Sequence, residues 1–560
     1  MNREGIKINR TLLGGIYGYL MLPMILFLIG WCKWYISVPA IAILCISFRL
    51  CLKEHLRDER PSRPKSPEET SENWFTKRSR GKCCVILVIV LCWVALSGIG
   101  GYVWQNDDHL CRNTIFNLLV ENAWPVKDTI SINGILQERG LVYYIGFWLP
   151  AALIGKMFGL NAGYAAQYLW AVAGILLFYA LICTWRREIV VWPLWIIIFF
   201  SGTDVIGTLL NYEDGLQQLL GSVHLERWAQ HYQFSSMTTQ LFWVFNQAIP
   251  AWLASAMIFM AEKPKNLIFT WSLLMLTSTL PFAGLLPFIF YFLIFRGIWE
   301  KSESVPRLIG NAWKNWSSLQ NILGGGVVGF VNLFYLMGNV SVGNSPVFQS
   351  LFSSVISAKH LPILLAALVL LLAMAWGCVS LILHKKGRYM STVAKYALPV
   401  CILCGACYVL SRSYQSGTYI YQLLFLFSFY LVEVGIYLIC LKKQVKNQNL
   451  FWLTASWLLV IPRIVIGNSQ DFCMRASIPA LILIMLWCID AMAAKKRTVM
   501  TWVLIGVFLV GSITPLHEIK RTYVNTRDGF EIRNADIYEI LSPGNFSGSL
   551  DGVFWERIAK

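Results

Sequence analysis

The chain has 560 residues, of which 56% are hydrophobic, 14% aromatic and 14% charged, with a mean hydropathy of +0.56 and a formal net charge of +17. That balance excludes an ordinary soluble domain, which carries more charge. It also excludes a nucleic-acid partner, because Lys and Arg fall in short clusters at the ends of apolar runs, as membrane-orientation signals do.

Taken in chain order, the apolar runs able to span a bilayer are 11 to 31, 34 to 52, 83 to 104, 162 to 183, 190 to 210, 239 to 261, 320 to 337, 361 to 384, 393 to 411, 419 to 441, 450 to 467, 476 to 494 and 498 to 514. The first run lacks a small-residue cleavage site and is expected to remain in the mature protein. The stretch from Lys53 to Lys82 carries nine Lys or Arg in a Pro, Ser and Glu background, which reads as a cytoplasmic linker. Other basic clusters, at Arg186 and Arg187, Lys263 and Lys265, Arg296 and Lys301, Lys385 to Arg388, Lys442 to Lys446 and Lys495 to Arg497, are expected on the same side. If 141 to 159 also spanned, Arg186 and Arg187 would land outside, so this stretch is placed along the outer interface, where Tyr143, Tyr144 and Trp148 suit the aromatic belt. The run 266 to 297 begins and ends beside cytoplasmic charge and is interrupted by Pro281, Gly284 and Pro287, so two half-crossing helices are expected there.

The fold class is therefore an all-α polytopic membrane protein with about 15 embedded helices, its N-terminus cytoplasmic and its C-terminus extracytoplasmic. Four regions follow: an N-terminal hairpin and basic linker at 1–82, a transmembrane module at 83–297 with external loops 105–140 and 211–239, further transmembrane helices at 298–514, and an outer tail at 515–560. Most of the 15 cysteines, Cys401, Cys404 and Cys407 among them, sit inside apolar runs and read as small core residues.

Five of the seven histidines, His109, His224, His231, His360 and His517, are expected at or near the outer face, so chemistry is expected there. The loop 105–140 opens with Asp107, Asp108 and His109 at the end of a span, where adjacent carboxylates are costly unless something polar binds. The plainer alternative is a helix cap, since a helix can run from His109 to Val120. In the loop 211–239, Trp228 and Tyr232 are four residues apart, with Glu226 and His231 available to a sugar's hydroxyls, although an amphipathic interfacial helix explains the same residues. Arg412 and Arg475 lie at the outer ends of spans, where a planar guanidinium suits a lipid phosphate or snorkels to headgroups.

A spanning helix before an external loop that opens with Asp107 and Asp108, then YY(x)5PAALIGKMFGLNAGYAAQ from Tyr143 to Gln167, then alternating spans, resembles the GT-C superfamily of membrane glycosyltransferases. The resemblance covers roughly residues 83 to 297. Within that group the chain is most similar to large bacterial multi-pass proteins sharing patterns like QFSSMTTQLFWVFNQAIPAWL (233 to 253) and DFCMRASIPAL (471 to 481). The N-terminal hairpin and basic linker depart from the common pattern. The resemblance implies a polyprenyl-phosphate-linked sugar donor, an acceptor it does not name, and an acidic residue of the first external loop, here Asp107 or Asp108, as base. A divalent metal is compatible with the Asp107, Asp108 and His109 set but not required by it. The rival classes are a transporter or lipid flippase, whose marks are mid-span charges such as Glu433 and paired broken helices, and a non-catalytic membrane subunit.

Overall fold

The computed structural model describes residues 8–56, 77–132, 134–211, 215–221, 223–229, 232–295, 305–339, 419–464, 471–550 and 552–560. Among these, nine helices are long and apolar enough to cross a membrane: Arg10–Trp31, Trp34–His55, Ser79–Leu96, Leu160–Arg186, Trp192–Leu210, Met237–Met260, Gln320–Met337, Leu424–Leu441 and Val499–Arg527. Shorter apolar helices occupy Ile145–Phe158, Thr279–Leu293 and Ile478–Met492. The all-α polytopic class expected from the sequence is observed. The expected runs 361 to 384 and 393 to 411 lie outside the described residues, as do His231 and Arg412.

At the centre stands the helix Met237–Met260, every residue of which is buried. Its start is fixed by Ser236, whose hydroxyl accepts the Thr239 amide at 3.0 Å. A helix apolar on all sides is stable only when other helices surround it, and here Leu160–Arg186, Ile478–Met492 and Thr279–Phe295 do so. Val244 departs from helical geometry (φ −138°, ψ 33°), and beside this kink the Phe242 carbonyl accepts hydrogen bonds from Asn106 at 2.8 Å and His109 at 3.1 Å. The kink thus ties the opening of the first loop to the middle of the bundle.

Ion pairs gather the basic clusters at one end of the bundle: Lys82 with Glu188 at 3.0 Å, Arg186 with Asp490 at 3.4 Å, and Lys265 with Glu54 at 3.2 Å. The N-terminal hairpin is fastened there too, through Glu262, which meets His55 at 3.0 Å, Tyr17 at 2.9 Å and Thr270 at 2.6 Å. At the opposite end, beyond Trp31, the C-terminal tail closes over the hairpin turn: Lys33 donates to Ile558 at 2.9 Å and Lys560 to Trp31 at 2.9 Å.

That end carries a small sheet. Strands β1 (Lys127–Ile132) and β2 (Ile135–Leu141) form an antiparallel hairpin, and β3 (Ser547–Ser549) adds to β2, pairing Arg139 with Ser549 and Leu141 with Ser547. Interfacial helix was expected in this loop, and the helix Asp108–Glu121 is there, but strand occupies its second half. The stretch 145–158 is helical and joins the helix from Leu160 through Gly159, whose φ of 92° only glycine adopts without strain. The two helices fold back on each other where Gly155 faces Gly163; a Cβ built on Gly163 would lie 3.0 Å from the Gly155 Cα.

Candidate functional site

The helix Asp108–Glu121 lies with its first turn at the sheet-bearing end of the bundle, and that turn brings Asp108 and Arg112 onto one side, four residues apart. Arg112 Nη2 donates to Asp108 Oδ2 at 2.7 Å. Asp107 diverges: it is exposed and pairs with Arg533 at 3.2 Å, and its side chain caps no helix amide. The capping is supplied instead by Asn106, whose Oδ1 accepts the Asp108 amide at 3.1 Å. The two adjacent carboxylates therefore have different surroundings, and only Asp108 faces inward.

His109 is buried at 2% exposure with its Nε2 held by the Phe242 carbonyl. A carbonyl only accepts, so Nε2 carries the proton, and burial pushes the imidazole pKa down to about 3, leaving a neutral ring beneath Asp108. His109 positions the turn and presents no face to solvent. No three His, Cys, Asp or Glu side chains among the described residues are arranged to hold a metal ion.

Arg475 reaches the same place from the other end of the chain. The helix Asp471–Ala476 buries it to 7% exposure, Asp471 pairs with it at 3.2 Å, and its Nη1 donates to the Tyr144 hydroxyl at 3.3 Å. Tyr143 donates in turn to Tyr144. Burial raises both phenols, so each stays neutral and offers a hydroxyl. Burial alone would raise the Asp108 carboxyl as well, but Arg112 and Arg475 more than offset it and hold Asp108 below the usual carboxylate range. The guanidiniums of residues 112 and 475 thus act on one carboxylate.

Both arginines retain buried donors with no hydrogen-bond partner: Arg112 Nη1 and Arg475 Nε, with the Trp148 indole N–H nearby in sequence to Tyr144 also unpaired. A buried unpaired donor costs about 1–3 kcal/mol, more on a charged group, so these point to an anion the site is built to take. Asp108 and the pair Tyr143 and Tyr144 complete its polar lining. Arg112 carries no motif of its own in the sequence; only its i, i+4 spacing from Asp108 signals it.

The described residues of the loop 211–239 are placed differently from a sugar platform. Trp228 is 4% exposed, and its indole N–H donates to Glu433 at 2.9 Å. Glu226 is 1% exposed and accepts from Gln233 at 2.8 Å and from the Ser236 amide at 2.8 Å. Tyr232 and Trp228 both pack against Phe425 and Phe429, so their rings face the bundle and not an open helix face. The turn at 225–229 is 3-10, so the four-residue spacing read from the sequence does not make a shared α-helical face.

No family model, curated protein or solved structure matches the chain.

Proposed function

We propose that the chain is a membrane glycosyltransferase of the GT-C type, with about 15 embedded helices, which moves a sugar from a polyprenyl-phosphate-linked donor to an acceptor at the outer face. The observation that carries this reading is the convergence of Asp108, Arg112 and Arg475, with unpartnered guanidinium donors on both arginines. In this reading the basic end of the bundle faces the cytoplasm, so the sheet, the two outer loops and the C-terminal tail lie outside.

Arg112 gives the mechanism its geometry. One of its terminal nitrogens holds Asp108, and the other is unoccupied, so a phosphate bound there is set beside the carboxylate. Arg475 takes a second phosphate oxygen through Nε, while Tyr144 and Asp471 both hold its Nη1 in place. The acceptor hydroxyl oxygen attacks the anomeric carbon from the side opposite the phosphate, and the C–O bond to phosphate breaks with its electron pair leaving on phosphate. Asp108 takes the hydroxyl proton, and configuration inverts. Charge developing on the departing phosphate is stabilised by cations that need no reorganisation. Asp107, exposed and engaged by Arg533, is outside this scheme.

A transporter or flippase is the second reading, favoured by the break between Phe200 and Thr203 in one span and the buried carboxylates beside it. Membranes containing the full chain, given lipid-linked sugars labelled in the sugar, separate the two. Asp108→Asn is expected to cut transfer to acceptor by about 100-fold or more with insertion unchanged, and Asp107→Asn to leave it within about threefold. Equal transfer in wild type and Asp108→Asn would remove Asp108 as base.

A further inference from the structure

Away from the arginine site, the bundle buries a second set of ionisable groups, Asp204, Glu226 and Glu433. Asp204 (1% exposed) follows the non-helical stretch Phe200–Thr203, Glu226 (1%) lies in the turn Leu225–Ala229, and Glu433 (2%) lies in the wide turn Leu431–Gly435 of a span. Hydrogen bonds draw these elements together: Thr203 donates its amide to Val432 at 3.1 Å, and Trp228 donates to Glu433 Oε1 at 2.9 Å. Glu433 Oε2 packs so tightly on Gly202 that a Cβ there would lie 2.0 Å from it. Asp204 is close enough to Glu226 and Glu433 to act on both electrostatically.

The cations nearby are already engaged. His224 pairs with Glu518 at 2.7 Å and stands 3.9 Å from Glu226, and Arg521 is 3.5 Å from Glu518. Burial alone would lower the His224 imidazole, but Glu518 raises it and favours its charged form in that pair. Arg227 lies over the Trp243 ring at 5.6 Å, the same ring that Arg521 faces at 5.3 Å. Asp204 accepts from the hydroxyls of Ser201 at 2.9 Å and Thr514 at 3.0 Å, Glu433 accepts from the Trp228 indole, and the two carboxyls are within hydrogen-bonding reach of each other; among the described residues neither is paired with a cation. Tyr437 and Cys473, both close enough to act on Glu433, add no positive charge. Glu433 Oε2 has no hydrogen-bond partner although fully enclosed. An ionised carboxylate left this way is strongly disfavoured, and in practice such a group keeps its proton.

We propose that Asp204, Glu226 and Glu433 form a buried proton-binding site, with the resident proton on Glu433. This is independent of the glycosyl-transfer reading, since no residue is shared with the Asp108 site. The site joins the second outer loop, through Glu226 and Trp228, to two spans. Loss of the proton sets like charges side by side and drives these elements apart, so binding and release of a proton couples the loop to the bundle.

The test is infrared difference spectroscopy of the full-length protein in lipid nanodiscs, titrated from mildly acidic to alkaline buffer. A protonated-carboxyl C=O band is expected at neutral pH, lost on alkalinisation and reduced in Glu433→Gln, whose side chain imitates the protonated acid. Glu433→Gln is expected to melt within about 2 °C of wild type at neutral pH and to lose the wild-type decline in stability toward alkaline pH. The sign follows from proton count: a carboxyl protonated in the native state and ionised in the unfolded state loses stabilising effect as pH rises. If Glu433→Gln does not accumulate, Asp204→Asn takes its place, because removing one negative neighbour lets Glu433 ionise and weakens the same band. No such band in wild type, or a band undiminished in the variant that folds, overturns the proposal.

Discussion

Asp108 and Asp107 are neighbours in sequence and unlike in environment, and that difference is what a residue-scale test can use. Arg112 and Arg475 depress the Asp108 carboxyl, so its ionised form persists to lower pH than an ordinary aspartate's. Its contribution to stability is therefore present at neutral pH and lost only as pH falls through that depressed value. Replacing Arg112 with Gln removes the nearest cation and leaves burial dominant. The acidic limb of the pH–rate profile should then move upward by about one unit or more, while Asp107→Asn leaves the limb in place. An unmoved limb in Arg112→Gln would mean that Asp108 is not the titrating base. The pairing itself was only partly legible. Asp108 stood out in the sequence as a carboxylate at a membrane boundary, whereas the direction each aspartate takes is decided by Asn106, itself anchored to the distant Phe242 carbonyl, and by Arg533, more than 400 residues away.

Elements set by local periodicity were read well, and those set by distant partners were not. The helix expected from His109 to Val120 is observed as Asp108–Glu121, because its start and apolar rhythm are local properties. The sheet escaped notice because β2 alternates weakly, with Gln137, Glu138 and Arg139 in succession, and because β3 arrives from the C-terminal tail more than 400 residues later, as the Arg139 to Ser549 pairing shows. The break at 273–278 within the run 266 to 297 was signalled by Pro281, which the following helix carries in its first turn. Packing of that kind offers a test at the level of elements. Gly163 meets Gly155 and the Phe116 ring, with a Cβ contact at 3.0 Å, so Gly163→Val should destabilise the junction of the helices Leu149–Phe158 and Leu160–Arg186 by about 1–3 kcal/mol. Thermal unfolding in detergent would register this as a lower midpoint, and an unchanged midpoint would show that the helices separate without cost.

At the scale of the whole molecule, the polytopic helical class was legible from composition and run length alone, since spanning helices are written as long apolar segments. Which spans touch was not, and with it most of the candidate site: Arg475 follows Asp108 by 367 residues in the chain, yet both act on each other in the fold. The sidedness carries its own expectation. A cysteine introduced at 60 to 80 should be protected from an impermeant thiol reagent in intact cells, while cysteines at 220 to 230 and 530 to 550 should react; the reverse pattern would put the arginine site in the cytoplasm. The bundle's convergence on one anion-binding site is tested most directly by binding rather than by turnover. Purified full-length protein in nanodiscs, titrated with polyprenyl monophosphate and read by native mass spectrometry, is expected to bind the lipid, with affinity about tenfold or more weaker in Arg475→Lys and in Arg112→Gln, because each loses part of a guanidinium fork. Binding that is undetectable in wild type, or equal in all three proteins, would contradict a phosphate held between Arg112 and Arg475.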